Sequence, residues 1–180
     1  YLSSRGCPYD CSFCSNKAIK ETVPGRYYRV RSPESVIEEI KYNKSKYGQQ
    51  GFKSIVFADD SFGLDLGWLK RFCELYKQED FSREFKWTCA TRADVVTEEW
   101  ARVVANAGCA MVMLGVESGD DHIRMEVYKK EITRKDILNA ASNLRGNGTA
   151  FGFYMLVGCP EDSWKTIKSS IKLVRELNPI

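Results

Sequence analysis

The chain has 180 residues, of which 43% are hydrophobic and 28% are charged, and its formal net charge at pH 7 is +3. This composition excludes a disordered chain, and so small a net charge gives no indication of nucleic-acid binding. No apolar run is long enough to cross a bilayer, so the sequence predicts no membrane span. Seven cysteines are an odd number, and they favour reduced thiols in a cytoplasmic protein over a disulfide framework.

Segments typical of strands alternate with segments typical of helices along the whole chain. The first strand ends near Ser4, and a long loop with three cysteines follows it. The next segment has Ser32 as a helix cap and Pro33 at the first helical position, which predicts a helix start. Strands are predicted at residues 1–4, 54–58, 86–91, 110–116 and 150–157. Helices are predicted at residues 33–46, 65–78, 98–107, 121–127, 134–145 and 164–177.

The alternation predicts a parallel sheet whose strands are connected by right-handed crossovers. The strands are almost continuously apolar, which is typical of a sheet that is covered on both faces. A complete eight-fold barrel needs roughly 250 residues, so we expect a partial barrel, with an open doubly wound sheet as the alternative.

Polar side chains follow the strands at their carboxyl ends. They are Asp59 and Asp60 after the second strand, Arg92 and Asp94 after the third, and Glu117 and Ser118 after the fourth. Because parallel strands end on one rim of the sheet, we expect these side chains to lie near the cysteine loop that follows the first strand.

Cys7, Cys11 and Cys14 are spaced as CxxxCxxC in that loop. Three thiolates so close together can converge on one soft metal centre, such as an iron–sulfur cluster. Three cysteines leave one iron of a cubane without a protein ligand, and that iron is open to a substrate. Two alternatives remain, an electron-transfer cluster and a zinc-stabilised domain, and each needs a fourth ligand.

The remaining cysteines and the single histidine offer no obvious fourth ligand. We expect Cys73 and Cys89 in the core, Cys109 buried at the amino-terminal rim, and His122 at the surface beside an acidic pair. Cys159 lies at the carboxyl end of the fifth strand, where it either faces the site or packs within the turn.

The run CPYDCSFC resembles the signature of the radical S-adenosylmethionine (SAM) superfamily. Four further segments occur in the order and spacing seen in that family, over essentially the whole chain: FADDSF at 57–62, TCATRADVV at 88–96, GVESGDD at 115–121 and GCPEDSW at 158–164. The set is most similar to the cobalamin-associated branch, which includes anaerobic magnesium-protoporphyrin ester cyclases and radical methyltransferases.

The resemblance implies an α/β fold, a partial (β/α)6 TIM-like barrel of which this chain would hold about five βα units. Residues 1–180 would be the radical SAM core domain of a longer protein that continues upstream and downstream. Cys7, Cys11 and Cys14 would hold a 4Fe–4S cluster, and SAM would chelate the fourth iron. Reduction would cleave SAM to methionine and a 5′-deoxyadenosyl radical.

The family also implies partners and a class of reaction. A small-molecule substrate would undergo methyl transfer or oxidative cyclisation, and flavodoxin or ferredoxin would supply the electron. Cobalamin, if used, would bind a separate upstream domain. The identity of the substrate and the choice between these reactions stay open.

Six residues match family positions around SAM. Phe13 would pack near the adenine, and Asp59 or Asp60 would meet the methionine ammonium group. Arg92 would meet the SAM carboxylate, and Glu117 with Ser118 would contact the ribose hydroxyls. The Gly-Gly-Glu element that the family carries after the second strand is Ala-Asp-Asp here, at residues 58–60.

Overall fold

A parallel sheet of four strands lies at the centre of the computed structural model, which describes residues 1–51 and 53–179. The strands follow one another in chain order across the sheet. They are β3 (Ser54–Phe57), β4 (Lys86–Arg92), β5 (Cys109–Glu117) and β6 (Ala150–Met155). A separate two-stranded antiparallel ribbon is formed by β1 (Ser4–Arg5) and β2 (Arg29–Val30).

Helices connect the strands and cover one face of the sheet. The α-helices are α1 (Ser15–Thr22), α2 (Pro33–Tyr47), α3 (Leu66–Gln78), α4 (Phe81–Glu84), α5 (Glu98–Asn106), α6 (Arg134–Gly146) and α7 (Trp164–Leu177). Short 3₁₀ turns lie at Gly48–Gln50 and Ala93–Val95, and a π-helical turn lies at Ile123–Val127. Within residues 1–51 and 53–179, no helix combines the length and apolar character that a membrane crossing requires.

Capping side chains place the helix starts where the sequence predicts them. Ser32 accepts a hydrogen bond from the Ser35 N–H, and Thr97 accepts one from the Trp100 N–H. Helix α1 is an addition to the prediction, because the whole segment after Cys14 was expected to be loop. It buries none of its residues, so the sequence has no core-facing stripe that would reveal it.

The predicted first strand joins the sheet only at its first residue. Tyr1 donates its N–H to the Val56 oxygen at 2.8 Å and accepts the Ala58 N–H at 2.9 Å. The chain then turns away, because the carboxylate of Asp59 takes the N–H groups of Ser3 and Ser4 that a fifth strand would use in pairing. The parallel sheet of the described residues therefore has four strands instead of the five expected.

The core lies between the sheet and its helices. Phe57 packs against Phe62, Phe72 and Trp87 with ring centroids 4.7, 5.3 and 5.6 Å apart, and all four side chains are buried. The opposite face of the sheet is open, with Val56 59% exposed and Met113 half-buried. Within residues 1–51 and 53–179 the helices therefore cover one face of the sheet and not both as expected, because four strands form an arc that does not close on itself.

Candidate metal centre at the strand ends

A pocket of about 150 Å³ opens between the cysteine loop and the carboxyl ends of the strands. Its lining includes seven residues that the sequence singled out: Cys7, Cys11, Cys14, Phe13, Asp60, Arg92 and Glu117. Four others were not expected there: Tyr9, Asn16, Ser61 and Lys130. A larger cavity of about 630 Å³ lies beside Tyr1 and the β1–β2 ribbon, but no cysteine lines it. The smaller pocket is therefore the candidate site.

The three loop cysteines are unpaired and half-buried. The Cys14 N–H donates to the Cys11 carbonyl at 3.1 Å, which turns the chain so that α1 begins after Cys14. Gly6 has φ +77°, and a Cβ there would lie 2.8 Å from the Tyr27 ring, so only glycine lets the loop pass Tyr27. Asn16 donates its side-chain amide to the Cys14 sulfur at 3.5 Å.

Burial and nearby cations act in opposite directions on these thiols. Burial raises the pKa of Cys7 and of Cys11, while the positive charges of Lys130 and Arg92 work to lower the pKa of Cys11. The cations favour the thiolate, which is the form that binds iron. Among residues 1–51 and 53–179, no three His, Cys, Asp or Glu side chains are grouped as ligands of a metal ion. In a cubane each thiolate binds its own iron, so three thiols around one pocket fit a cluster.

Arg92, the last residue of β4, lies against the cysteine loop. Its Cζ is 3.6 Å from the centroid of the Tyr9 ring, and Nε and Nη2 each donate to Asp94 at 3.0 Å. The third nitrogen, Nη1, is 4.0 Å from the Cys11 sulfur. The guanidinium thus joins the end of β4 to the loop.

A buried ion pair forms the opposite wall. Lys130 Nζ lies 2.7 Å from Glu117 Oε1, and the two side chains are 7% and 9% exposed. Glu117 has φ +66°, an uncommon conformation for a residue other than glycine, and it ends β5. Gly115 leaves room for the pair, because a Cβ there would lie 2.5 Å from Nζ and 2.8 Å from Oε1.

The second half of the loop is held by the segment that follows β5. The Ser12 N–H donates to the Tyr128 oxygen at 2.9 Å, and its hydroxyl donates to the Val127 oxygen at 2.6 Å. Phe13 packs edge-on against Tyr128 with ring centroids 5.1 Å apart. The Cys159 N–H donates to the Asp162 carboxylate at 3.2 Å within the turn, and Cys159 does not line the pocket, which favours the turn-packing alternative.

Two of the predicted SAM contacts point elsewhere. The Asp59 carboxylate accepts the backbone N–H and the hydroxyl of both Ser3 and Ser4, and it is buried. Ser118 accepts the Asp120 N–H at 3.1 Å on its hydroxyl, and its carbonyl accepts Arg124 Nη1 at 2.8 Å. Both side chains hold loops in place next to the pocket, and neither lines it.

The remaining candidate ligands lie where the sequence expects them. Cys73, Cys89 and Cys109 are buried, and the exposed side chain of His122 lies 3.1 Å from Glu161. Lys130 was missed because it lies beyond the π-helical turn with no pattern around it. Tyr9 was missed because the cysteine spacing draws attention to the sulfurs and not to the residues between them.

Comparison with known proteins shows which family the chain resembles. Residues 1–174 match the family model of the Radical SAM superfamily. The chain is 31% identical over 181 residues to an uncharacterized methyltransferase of Pyrococcus horikoshii, covering 98% of this chain and 36% of that protein. It is 28% identical over 178 residues to the anaerobic magnesium-protoporphyrin IX monomethyl ester cyclase of Rubrivivax gelatinosus, covering 98% and 30%. The chain thus spans about a third of the length of these relatives.

Two solved structures share the fold. The radical SAM methyltransferase TsrM of Kitasatospora setae, with cobalamin and a 4Fe–4S cluster bound, has a TM-score of 0.82 at 20% identity, covering 99% of this chain and 32% of that one. The cobalamin-dependent SAM radical enzyme OxsB has a TM-score of 0.78 at 22% identity, covering 97% and 26%.

The fold and the family follow from these matches. The likeness to solved structures confirms the expected α/β partial barrel. The family model covers nearly all of the chain, and the resemblance read from the cysteine run and the four strand-end segments is confirmed with it. The chain therefore belongs to the radical SAM superfamily, a family that implies a 4Fe–4S cluster and SAM as cofactors.

Proposed function

We propose that residues 1–180 are the core of a longer enzyme that cleaves SAM reductively and acts on a small organic substrate. The observation that carries the proposal is the single pocket in which three unpaired cysteines meet Asp60, Arg92 and Glu117 at the ends of parallel strands. Thiols alone would serve electron transfer equally well. Charged groups of both signs beside them suit a zwitterionic cofactor such as SAM.

Cys7, Cys11 and Cys14 hold three irons of the cluster in this proposal. When bound, the cluster supplies the electron that splits SAM into methionine and a 5′-deoxyadenosyl radical. The loop is held on both sides, by Arg92 through Tyr9 and by Ser12 through the carbonyls beyond β5. These contacts fix where the three thiolates stand before the cofactors bind.

The pocket walls divide the contacts to SAM by charge. The exposed carboxylate of Asp60 is proposed to meet the ammonium group, and the cations Arg92 and Lys130 to meet the carboxylate. The second carboxylate oxygen of Glu117 is proposed to accept from the ribose hydroxyls, and the half-exposed ring of Phe13 to pack against the adenine. Asp59 and Ser118 are proposed to support the pocket from outside through the loops that they hold.

The open face of the sheet, opposite the helices, is the surface on which we propose that a small organic substrate binds. Val56, Met113 and Tyr154 give it an apolar surface next to the pocket. The proteins named above include methyltransferases and a cyclase, so we propose that the reaction is methyl transfer or oxidative cyclisation. We further propose that cobalamin binds to another part of the full-length protein and that flavodoxin or ferredoxin provides the electron.

The test uses the full-length protein with Cys7→Ala, Cys11→Ala and Cys14→Ala made singly, and Cys159→Ala as the matched control outside the pocket. After anaerobic reconstitution with iron and sulfide, we expect each of the first three to lose most of its iron and all 5′-deoxyadenosine formation. The control should keep both.

Two results would contradict the proposal. Full 4Fe–4S spectra in all three variants would refute the ligand assignment. A cluster that forms in the unmodified protein but neither binds nor cleaves SAM would instead indicate an electron-transfer protein.

A further inference from the structure

Arg92 contacts more groups in the cysteine loop than a SAM contact requires. Its side chain is 8% exposed, its Cζ lies 3.6 Å from the Tyr9 ring centroid, and two of its nitrogens donate to Asp94 at 3.0 Å. A planar guanidinium has a fixed orientation when a carboxylate accepts hydrogen bonds from one edge and an aromatic ring packs against one face. That orientation leaves Nη1 facing Cys11, with its sulfur 4.0 Å away.

Tyr9 lies between Cys7 and Cys11, so the stacking contact holds the first half of the loop. Ser12 lies between Cys11 and Cys14, and its two hydrogen bonds to the Val127 and Tyr128 carbonyls hold the second half. The two contacts differ in one respect. The Arg92 contact brings a positive charge to a cysteine sulfur, and the Ser12 contact brings none.

A cation beside a ligating sulfur favours the reduced cluster. Reduction adds one electron to a cluster that already carries negatively charged thiolates, so a nearby N–H donor with a positive charge stabilises the reduced form and raises the reduction potential. The side chain is largely buried, which strengthens the effect because solvent screens it less.

We propose that Arg92 is a positioning residue for the cluster: it holds the cysteine loop through Tyr9, and through Nη1 it raises the reduction potential of the cluster bound by Cys11. The proposal rests on the proposed function for Cys11 as a ligand. It adds to the SAM-contact interpretation a role that is present before SAM binds. Asp94 then orients Arg92 and offsets part of its charge.

The decisive measurement is an EPR-monitored redox titration of the reconstituted full-length protein without SAM. In Arg92→Gln we expect the ratio of reduced to oxidised cluster at a fixed potential to fall about tenfold, which is 59 mV for a one-electron couple. Arg92→Lys keeps the positive charge but not the planar guanidinium, so its reduction potential should lie between those of Arg92→Gln and the unmodified protein. Tyr9→Phe keeps the stacked ring, so its reduction potential should equal that of the unmodified protein.

Ser12→Ala is the matched control for loop order. It removes one hydrogen bond from the other half of the loop and leaves the charge at Cys11 unchanged, so its potential should shift less than that of Arg92→Gln. Asp94→Asn gives a change of opposite sign: the amide oxygen still accepts a hydrogen bond from Arg92 and keeps it in place, while the guanidinium charge is no longer compensated, so the potential should rise. Asp94 is 29% exposed, so this variant should fold even if Arg92→Gln does not.

An unchanged potential in Arg92→Gln, with SAM affinity alone reduced, would overturn the proposal and leave Arg92 as a SAM contact. If Arg92→Gln does not fold, an unchanged or lower potential in Asp94→Asn would overturn it equally. Different results would contradict the proposed function itself. They are a cluster in the unmodified protein that does not respond to SAM, or a cluster that persists in Cys11→Ala.

Discussion

One methyl group added at Gly115 should disturb the Lys130–Glu117 pair and weaken SAM binding while the fold stays intact. Gly115 lies in β5 directly beneath the pair, and its backbone does not have the positive φ that would exclude alanine. The new Cβ would lie 2.5 Å from Lys130 Nζ and 2.8 Å from Glu117 Oε1, where ordinary contact begins at 3.4 Å. Nζ must therefore retreat by roughly 1 Å, and a hydrogen bond of 2.7 Å does not survive that lengthening.

The effect on stability should be small. Overpacking in a core typically costs about 1–3 kcal/mol, and we expect about 1 kcal/mol because the atoms that must move are the ends of flexible side chains. For a domain of this size that corresponds to a melting temperature lower by about 2–4 °C. The effect on SAM should be larger, about tenfold in Kd, or about 1.4 kcal/mol, because both displaced groups line the pocket.

Gly152→Ala is the matched control. Gly152 is on the same face of the neighbouring strand, and a Cβ there would lie 2.8 Å from the Met113 sulfur, again a flexible end. We would measure melting temperature and SAM affinity by calorimetry on cluster-loaded full-length protein. Equal losses of SAM affinity in both variants, or none in Gly115→Ala, would show that the Lys130–Glu117 pair does not contribute to SAM binding.

Three further predictions concern residues outside the pocket. Gly119→Ala should lower the free energy of unfolding by about 3 kcal/mol in denaturant titrations, because its Cβ would lie 2.5 Å from the backbone oxygen of Ser169 in α7. Gly146→Ala should show no such loss, because no atom lies within 4 Å of the added Cβ. Asp59→Ala leaves the N–H and hydroxyl donors of Ser3 and Ser4 without a partner, so its free energy of unfolding should fall by about 3 kcal/mol or more. The free energy of unfolding of Asp60→Ala should not change, and similar losses in both variants would contradict the role assigned to Asp59. Burial raises the pKa of Cys73 and of Cys89, so both thiols stay protonated at pH 8 and should resist alkylation by iodoacetamide in the folded apoprotein. Mass spectrometry that finds either thiol labelled as fast as the loop cysteines would contradict this prediction.

The main part of the site could be predicted because parallel strands end on one rim. Arg92 and Glu117 each end a strand and Asp60 lies shortly after the end of β3, so the sheet brings these three distant residues to the cysteine loop. Local signals sufficed for the helix starts as well, since a cap such as Ser32 or Thr97 acts on residues three positions away.

The rest depended on contacts that no local pattern encodes. The choice between Asp59 and Asp60 follows from the course of Ser3 and Ser4, whose donors occupy Asp59 and so turn the chain out of the sheet. Lys130 reaches Glu117 only because the chain returns after the π-helical turn. Helix α1 was missed because it packs no residue into the core, so hydrophobic periodicity does not mark it.

In the proposed function, Cys7, Cys11 and Cys14 hold a cluster with one iron open to SAM. The most direct measurement is the EPR spectrum of the full-length protein, reconstituted anaerobically and reduced with dithionite, recorded with and without SAM. We predict a 4Fe–4S signal that shifts when SAM is added. A cluster signal that SAM leaves unchanged, or bound zinc with no cluster, would show that the three cysteines do not form such a site.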